Sequence, residues 1–211
     1  SKWFSGGLVY WMLDDCWPAA GGWSLLDYYT LPKAGYYAFK RAAKPVIASI
    51  DCEGGLVSVW VCNDSVSMAV GEFTLFALNA ESGERTELKK NSFQSEANCV
   101  RMVYQAKALP VEGNELLLCE LTWAGGTDRA VLYPQRPCDL RYTEPKVRVL
   151  ARTEEEITVL AENLVPAVIL SGEYVFEDNY FTMLPGEQRS VAYRKAFQSA
   201  GGEIGVQARA F

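Results

Sequence analysis

Residues 6–29, GGLVYWMLDDCWPAAGGWSLLDYY, crowd three tryptophans, three aspartates and three tyrosines into one short stretch. An indole offers a flat apolar face to the C–H side of a sugar ring, and a carboxylate accepts paired hydrogen bonds from neighbouring hydroxyls. Trp11, Asp14, Asp15 and Trp17 are therefore the candidate substrate-binding residues, and a neutral ligand of the sugar type is the expectation. Each has a structural alternative. Trp11 could pack in a core, Asp15 could brace a loop as readily as touch a ligand, and Trp17 and Trp23, flanking Pro18 and Gly21-Gly22, could join two elements instead of forming a cleft rim. Asp27, with Tyr28 and Tyr29, is expected to fix the loop.

Other chemistries are excluded by composition. The chain has no histidine, which removes every Ser-His and Cys-His mechanism, and no C-x-x-C spacing among its six cysteines, so neither a metal site nor a cofactor is expected. Cys119 follows Leu116-Leu117-Leu118 and is expected as a small buried hydrophobe, and free thiols favour a reducing, cytoplasmic compartment. A net charge of −6 argues against nucleic acid or an anionic membrane as partner. No apolar run approaches the about 18–20 residues of a membrane-spanning helix.

The elements that must position these residues follow from periodicity. Leu8-Val9-Tyr10-Trp11-Met12-Leu13 is a near-continuous apolar run, expected as a strand buried on both faces. A Gly- and Pro-rich loop over 16–32 leads to helix formers over 33–44, with Lys40, Arg41 and Lys44 at the negative end of the helix dipole and Pro45 as the stop. Tyr36, Tyr37, Phe39 and Lys40 form one face that could pack back on the structure holding the preceding strand. From Val46 the period becomes two. Strands are expected at 46–50, 56–62, 72–79, 84–89, 98–107, 114–123 and 129–133, then at 146–151, 155–162, 166–170, 174–176, 189–197 and 203–209, with Pro134, Pro137 and Pro145 marking a linker. Two β-sandwiches of the immunoglobulin type result, with Trp60 and Trp123 as core candidates.

Gly7-Leu8-Val9-Tyr10-Trp11-Met12-Leu13-Asp14-Asp15-Cys16-Trp17-Pro18, then Trp23-Ser24 and Asp27-Tyr28, resembles the last barrel strand and following loop of the β-mannosidases of glycoside hydrolase family 2. Their pattern is roughly G-x-L-Y-W-Q-L-N-D-x-W-P, then W-S, then D-Y. Pro32-Lys33 with Tyr36-Tyr37-Ala38-Phe39-Lys40-Arg41-Ala42 resembles their next element, and Val57–Asp64 their "V-x-V-x-N-D" strand. Asp178-Asn179-Tyr180-Phe181-Thr182-Met183-Leu184-Pro185-Gly186-Glu187 resembles the D-N-Y-F-D-L-L-P-G-E of their closing sandwich. Asp178 and Asn179 are expected to stabilise a turn, with Phe181 and Leu184 in the core. A calcium or sugar site there is the lesser alternative, since one carboxylate is thin for that cation.

The resemblance implies a mainly β chain. Residues 1–44 would be the last strand, loop and helix of a truncated (β/α)8 barrel, 45–136 an immunoglobulin-like sandwich, 137–144 a linker and 145–211 a small C-terminal sandwich. It implies an exo-acting retaining enzyme that releases terminal β-linked mannose, with glucosamine or galactose as the next candidates. Trp11 would stand at the floor of the cleaved sugar's subsite. Asp14 replaces the usual asparagine and only accepts hydrogen bonds, and Met12 replaces the usual glutamine, so the hydrogen-bond pattern differs. The two catalytic glutamates belong to earlier barrel strands, so no catalytic residue is expected in this chain, which is expected to be a C-terminal fragment inactive alone. Its partner would be the missing barrel. Without it, residues 8–13 are expected to be disordered, packed on a sandwich, or swapped into a homodimer. A non-catalytic carbohydrate-binding or scaffold module is the alternative reading.

Overall fold

A computed structural model describes residues 7–19, 21–107, 111, 113–197 and 199–210. The chain divides into two compact units, Ala43–Tyr142 and the combination of residues 1–42 with 143–211.

The first sandwich carries strands β1 (Val46–Glu53), β2 (Leu56–Asn63), β3 (Ala69–Asn79), β4 (Arg85–Ser95), β5 (Cys99–Lys107), β6 (Glu115–Trp123) and β7 (Gly126–Leu132). They form antiparallel sheets ordered β1-β2-β5 and β4-β3-β6-β7. Alternation drives them together: Val57, Val59 and Val61 of one sheet and Phe73, Leu75, Leu117, Cys119 and Leu121 of the other point into a shared core. Burial there pushes the Cys119 thiol up to about 12, so it remains a neutral apolar group. Trp123 packs against this core at its margin, as does Tyr104. Asp128 on β7 stitches across to the other sheet, accepting the Ala48 amide at 3.0 Å and the Lys44 ammonium at 3.1 Å.

Asn63, which ends the Val57–Asp64 motif, is wholly buried. Its amide donates to the carbonyls of Ser67, Ser95 and Glu96, and its oxygen accepts from the Ser65 amide and hydroxyl. The motif is thus the knot that joins two loop ends, a task that needs both a donor and an acceptor on one side chain.

The second sandwich carries β8 (Val147–Arg152), β9 (Glu156–Ala161), β10 (Val165–Ser171), β11 (Tyr174–Phe176), β12 (Phe181–Met183), β13 (Gln188–Lys195) and β14 (Gly205–Arg209). Its sheets are ordered β11-β13-β9-β8 and β12-β10-β14. Val159, Val168, Phe181, Met183 and Val191 fill the core. Every expected strand segment of both series has a strand in the structure. β12 is the addition, a three-residue strand inside the stretch expected only as a turn.

The buried strand read from the apolar run does not form here: residues 8–13 carry no strand, and Leu8 and Val9 are 85% and 90% exposed. Strand identity depends on hydrogen-bonded neighbours, and beside this run stands a single parallel bridge from Asp14 to Leu26, with main-chain bonds from Leu25 to Met12 and from Leu26 to Leu13. The expected helix forms as α1 (Ala34–Ala42). Among the described residues no helix is long and apolar enough to cross a membrane.

Candidate functional site

The loop after the apolar run is folded back on itself by main-chain bonds. Leu25 and Leu26 donate to the carbonyls of Met12 (3.1 Å) and Leu13 (2.8 Å), Asp15 donates to Leu26 (3.2 Å), and Lys33 donates to Leu25 (2.9 Å). Both ends of the Gly-rich segment are therefore held beside residues 12–15. Asp27 closes the far turn, its carboxylate accepting the amides of Tyr29 and Leu31 at 2.9 and 2.8 Å.

Asp15 is the pivot of this arrangement and is only 8% exposed. The Ser24 hydroxyl donates to its Oδ1 at 2.6 Å and the Lys33 ammonium to its Oδ2 at 2.6 Å, while Lys33 also donates to Ser24 Oγ at 2.7 Å. Gly22 lies against the same carboxylate, where an added Cβ would stand 2.6 Å from Oδ1. Asp15 therefore braces the loop, each of its oxygens accepting a hydrogen bond from within it. The hydrogen bonds from Lys33 and Ser24 hold its carboxyl below the ordinary 3.8. A depressed folded value stabilises the loop above the unfolded value and loses that contribution as pH falls through the folded one. Tryptophan emission from the loop should hence stay constant from neutral pH down to 3.8 and change only below it. Asp15→Asn should show the altered emission at neutral pH; a transition well above 3.8 would contradict this account.

Above the brace, Trp11, Trp17 and Trp23 line a pocket of about 230 Å³ together with Met12, Gly21 and Gly22. All three indoles are exposed, at 76%, 67% and 84%. The Trp11–Met12 peptide is cis. The volume falls below the about 300–1,000 Å³ of a complete small-molecule site. Of the sequence candidates the structure brings together Trp11, Trp17 and Asp15; Asp14 is exposed and lies outside the pocket lining. Trp23 is as open as Trp11, so among the described residues it covers no core. Among these residues there is also no group of three His, Cys, Asp or Glu side chains placed to hold a metal ion.

Lys33 and Ser24 are the residues that sequence reasoning missed as partners of Asp15. A signal existed. Residues 3–32 contain no lysine or arginine, so Lys33 is the first cation downstream that could compensate a buried aspartate.

Helix α1 continues from Lys33. Its Tyr37 is buried and faces Tyr180, with ring centroids 6.0 Å apart, and burial pushes the phenol up to about 12. Phe39 meets Tyr10 edge-on at 6.2 Å. At the C-terminal end, Arg41 donates to Asp178 Oδ1 at 2.6 Å and to the carbonyls of Asn179 (2.9 Å) and Tyr180 (3.2 Å), and Lys40 donates to the carbonyl and carboxylate of Glu177 at 2.7 Å. Of the face Tyr36, Tyr37, Phe39 and Lys40, Tyr37 thus meets Tyr180 of the Asp178–Phe181 motif and Lys40 meets Glu177 beside it. Asp178 also accepts from Arg189 at 2.6 Å, and two guanidinium groups on one carboxylate leave no role for a cation there. Asn179 is buried, and Phe181 and Leu184 enter the interior as expected, with Arg189 stacked 4.1 Å over the Phe181 ring.

Comparison with known proteins gives these features a family. Residues 142–206 match the Ig-fold domain of mannosidases. Beta-mannosidase B of Thermothelomyces thermophilus is 27% identical over 87% of this chain, and that of Aspergillus flavus 24% over 88%; in each case the chain spans about a quarter of the relative's length (25%). Among solved structures, a β-D-mannosidase from Dictyoglomus thermophilum aligns with a TM-score of 0.74 at 21% identity, covering 95% of this chain and 26% of that one. An exo-chitosanase from Amycolatopsis orientalis aligns at 0.62 and 18%, covering 96% and 31%. The fold and the sequence agree: this chain is a relative of the β-mannosidases of glycoside hydrolase family 2, matching about a quarter of their length, with immunoglobulin-like β-sandwiches as its main architecture.

Proposed function

We propose that the chain is the C-terminal part of an exo-acting, retaining β-mannosidase, and that its first thirty or so residues form one wall of the subsite for a terminal β-linked mannose. The observation that carries this reading is the cluster of three exposed indoles around a small pocket whose floor is fixed by the Asp15–Lys33–Ser24 network. Ground-state exposure of so much aromatic surface is costly unless a ligand or another part of the protein covers it. Trp11 and Trp17 supply apolar ring faces, Asp14 an exposed acceptor at the margin, and Asp15 the brace that keeps the wall in place.

Retention requires two carboxyl groups about 5 Å apart, one to protonate the leaving oxygen and one to attack the anomeric carbon. In this reading both come from barrel strands outside this chain, residues 1–44 complete that barrel, and the segments 45–136 and 145–211 buttress it. The chain alone binds sugar weakly and hydrolyses none. Calorimetric titration with mannose and mannobiose tests the wall. Trp11→Ala is expected to weaken binding about tenfold, equivalent to about 1.4 kcal/mol. Equal heats for the parent chain and Trp11→Ala would sink the assignment.

A further inference from the structure

Helix α1 has the aromatic pocket at one end and the Asp178–Phe181 loop at the other. We infer that Lys33, Arg41 and Asp178 are positioning residues of a relay through which the C-terminal sandwich sets the geometry of the tryptophan wall. Its value for sugar binding rests on the function proposed above; the relay itself rests on geometry.

A nine-residue helix is too short to be stable alone in water, where about 12–15 residues are marginal, so its position is set by what it docks against. The docking site is rigid from two sides. Arg189, on β13, holds Asp178 Oδ2, and the Asn179 side chain is bonded to both the amide and the carbonyl of Leu170 on β10. These strands belong to opposite sheets, so the loop is referenced to the whole sandwich. Arg41 reads that loop with three bonds over three consecutive residues, which the planar guanidinium fork permits and an ammonium does not.

At the other end the helix begins one residue after Lys33. There the main chain bonds Leu25 and the side chain grips Asp15 and Ser24, beside Gly22 of the pocket. Between the ends, Phe39 meets Tyr10, next to Trp11. A helix is stiff along its axis over this distance, about 13 Å at 1.5 Å per residue, so a displacement of the Arg41 end moves the Lys33 end with it.

The test uses the full chain labelled with 5-fluorotryptophan, its fluorine resonances assigned by single Trp→Phe replacements. Arg41→Met and Lys33→Met should shift or broaden the same resonances, those of Trp11, Trp17 and Trp23, and leave Trp60 and Trp123 where they are. Arg41→Lys should restore them in part. Asp178→Asn, which keeps shape and removes charge, should produce the Arg41→Met pattern while the amides of Val159, Val168 and Val191 stay protected from exchange. Pocket resonances in Arg41→Met and Asp178→Asn that superimpose on the parent, or that move only when those core amides lose protection, would overturn the relay. Mannose added to the parent chain tests the sugar reading separately, because its failure to move any resonance leaves the comparison between variants intact.

Discussion

Asn179→Ala is expected to destabilise the C-terminal sandwich by about 3–5 kcal/mol, a large share of the about 5–15 kcal/mol that holds a native domain folded. The reason lies in what the side chain replaces. β10 is flanked by β14 from Ala167 to Ser171, but on its other side β12 pairs only as far as Val168 opposite Phe181. Beyond that point Leu170, which is buried, would present an unpaired amide and carbonyl. Asn179 supplies both partners, Oδ1 accepting the Leu170 amide at 2.8 Å and Nδ2 donating to its carbonyl at 2.7 Å, and Oδ1 also accepts the Tyr180 amide at 2.9 Å. Its amide group acts as one residue of a missing strand. Alanine leaves these groups buried without partners, at about 1–3 kcal/mol each, and opens a cavity beside them. Asn179→Asp keeps acceptance but cannot donate to the Leu170 carbonyl, so it should also be strongly destabilised. Hydrogen exchange at the Val168, Leu170 and Val191 amides measures the effect; protection within a factor of ten of the parent chain would contradict it.

Gly71→Ala is the corresponding expectation for the first sandwich, with a loss of about 3 kcal/mol or more. Gly71 lies in the middle of its sheet, opposite Phe93 on β4 and Trp123 on β6. A Cβ there would fall 2.0 Å from the Thr122 carbonyl oxygen and 2.9 Å from the Trp123 Cα. Both are backbone atoms, which cannot rotate away as a side chain can. β6 would have to separate from β3 over the register Gly71–Trp123 and Glu72–Thr122, giving up ladder hydrogen bonds at the point where Trp123 covers the core margin. Denaturant unfolding followed by Trp60 and Trp123 fluorescence reads the change directly. An unchanged midpoint would show that the strands part more easily than this geometry allows.

The strands of both sandwiches were legible in the sequence because an antiparallel sheet with one buried face writes its alternation into the chain, as in Val57-Ser58-Val59-Trp60-Val61. The apolar run Leu8–Leu13 carries an equally strong signal and forms no strand, since a continuous hydrophobic run specifies burial and leaves open what does the burying. β12 escaped notice for the opposite reason: three residues are too few to show a period. At the site, the tryptophans were visible as aromatics on a Gly-rich loop. The pairs that place them were not. Lys33 and Asp15 are 18 residues apart and Arg41 and Asp178 are 137 apart, and local pattern carries no information about which distant charges meet. The basic residues at the end of α1 illustrate this. Their placement suits the helix dipole, yet in the structure Lys40 and Arg41 grip the carbonyls and carboxylates of residues 177–180.

That separation of 137 residues also sets a timetable for synthesis. A ribosome adding about 5–20 residues per second needs on the order of 10 s to travel from Arg41 to Asp178. Throughout that interval the first sandwich can be completed, while Tyr37 remains without Tyr180 and Arg41 without Asp178. The helix is thus made before every strand of the sandwich that receives it, and it can dock only once the Asp178–Phe181 loop exists.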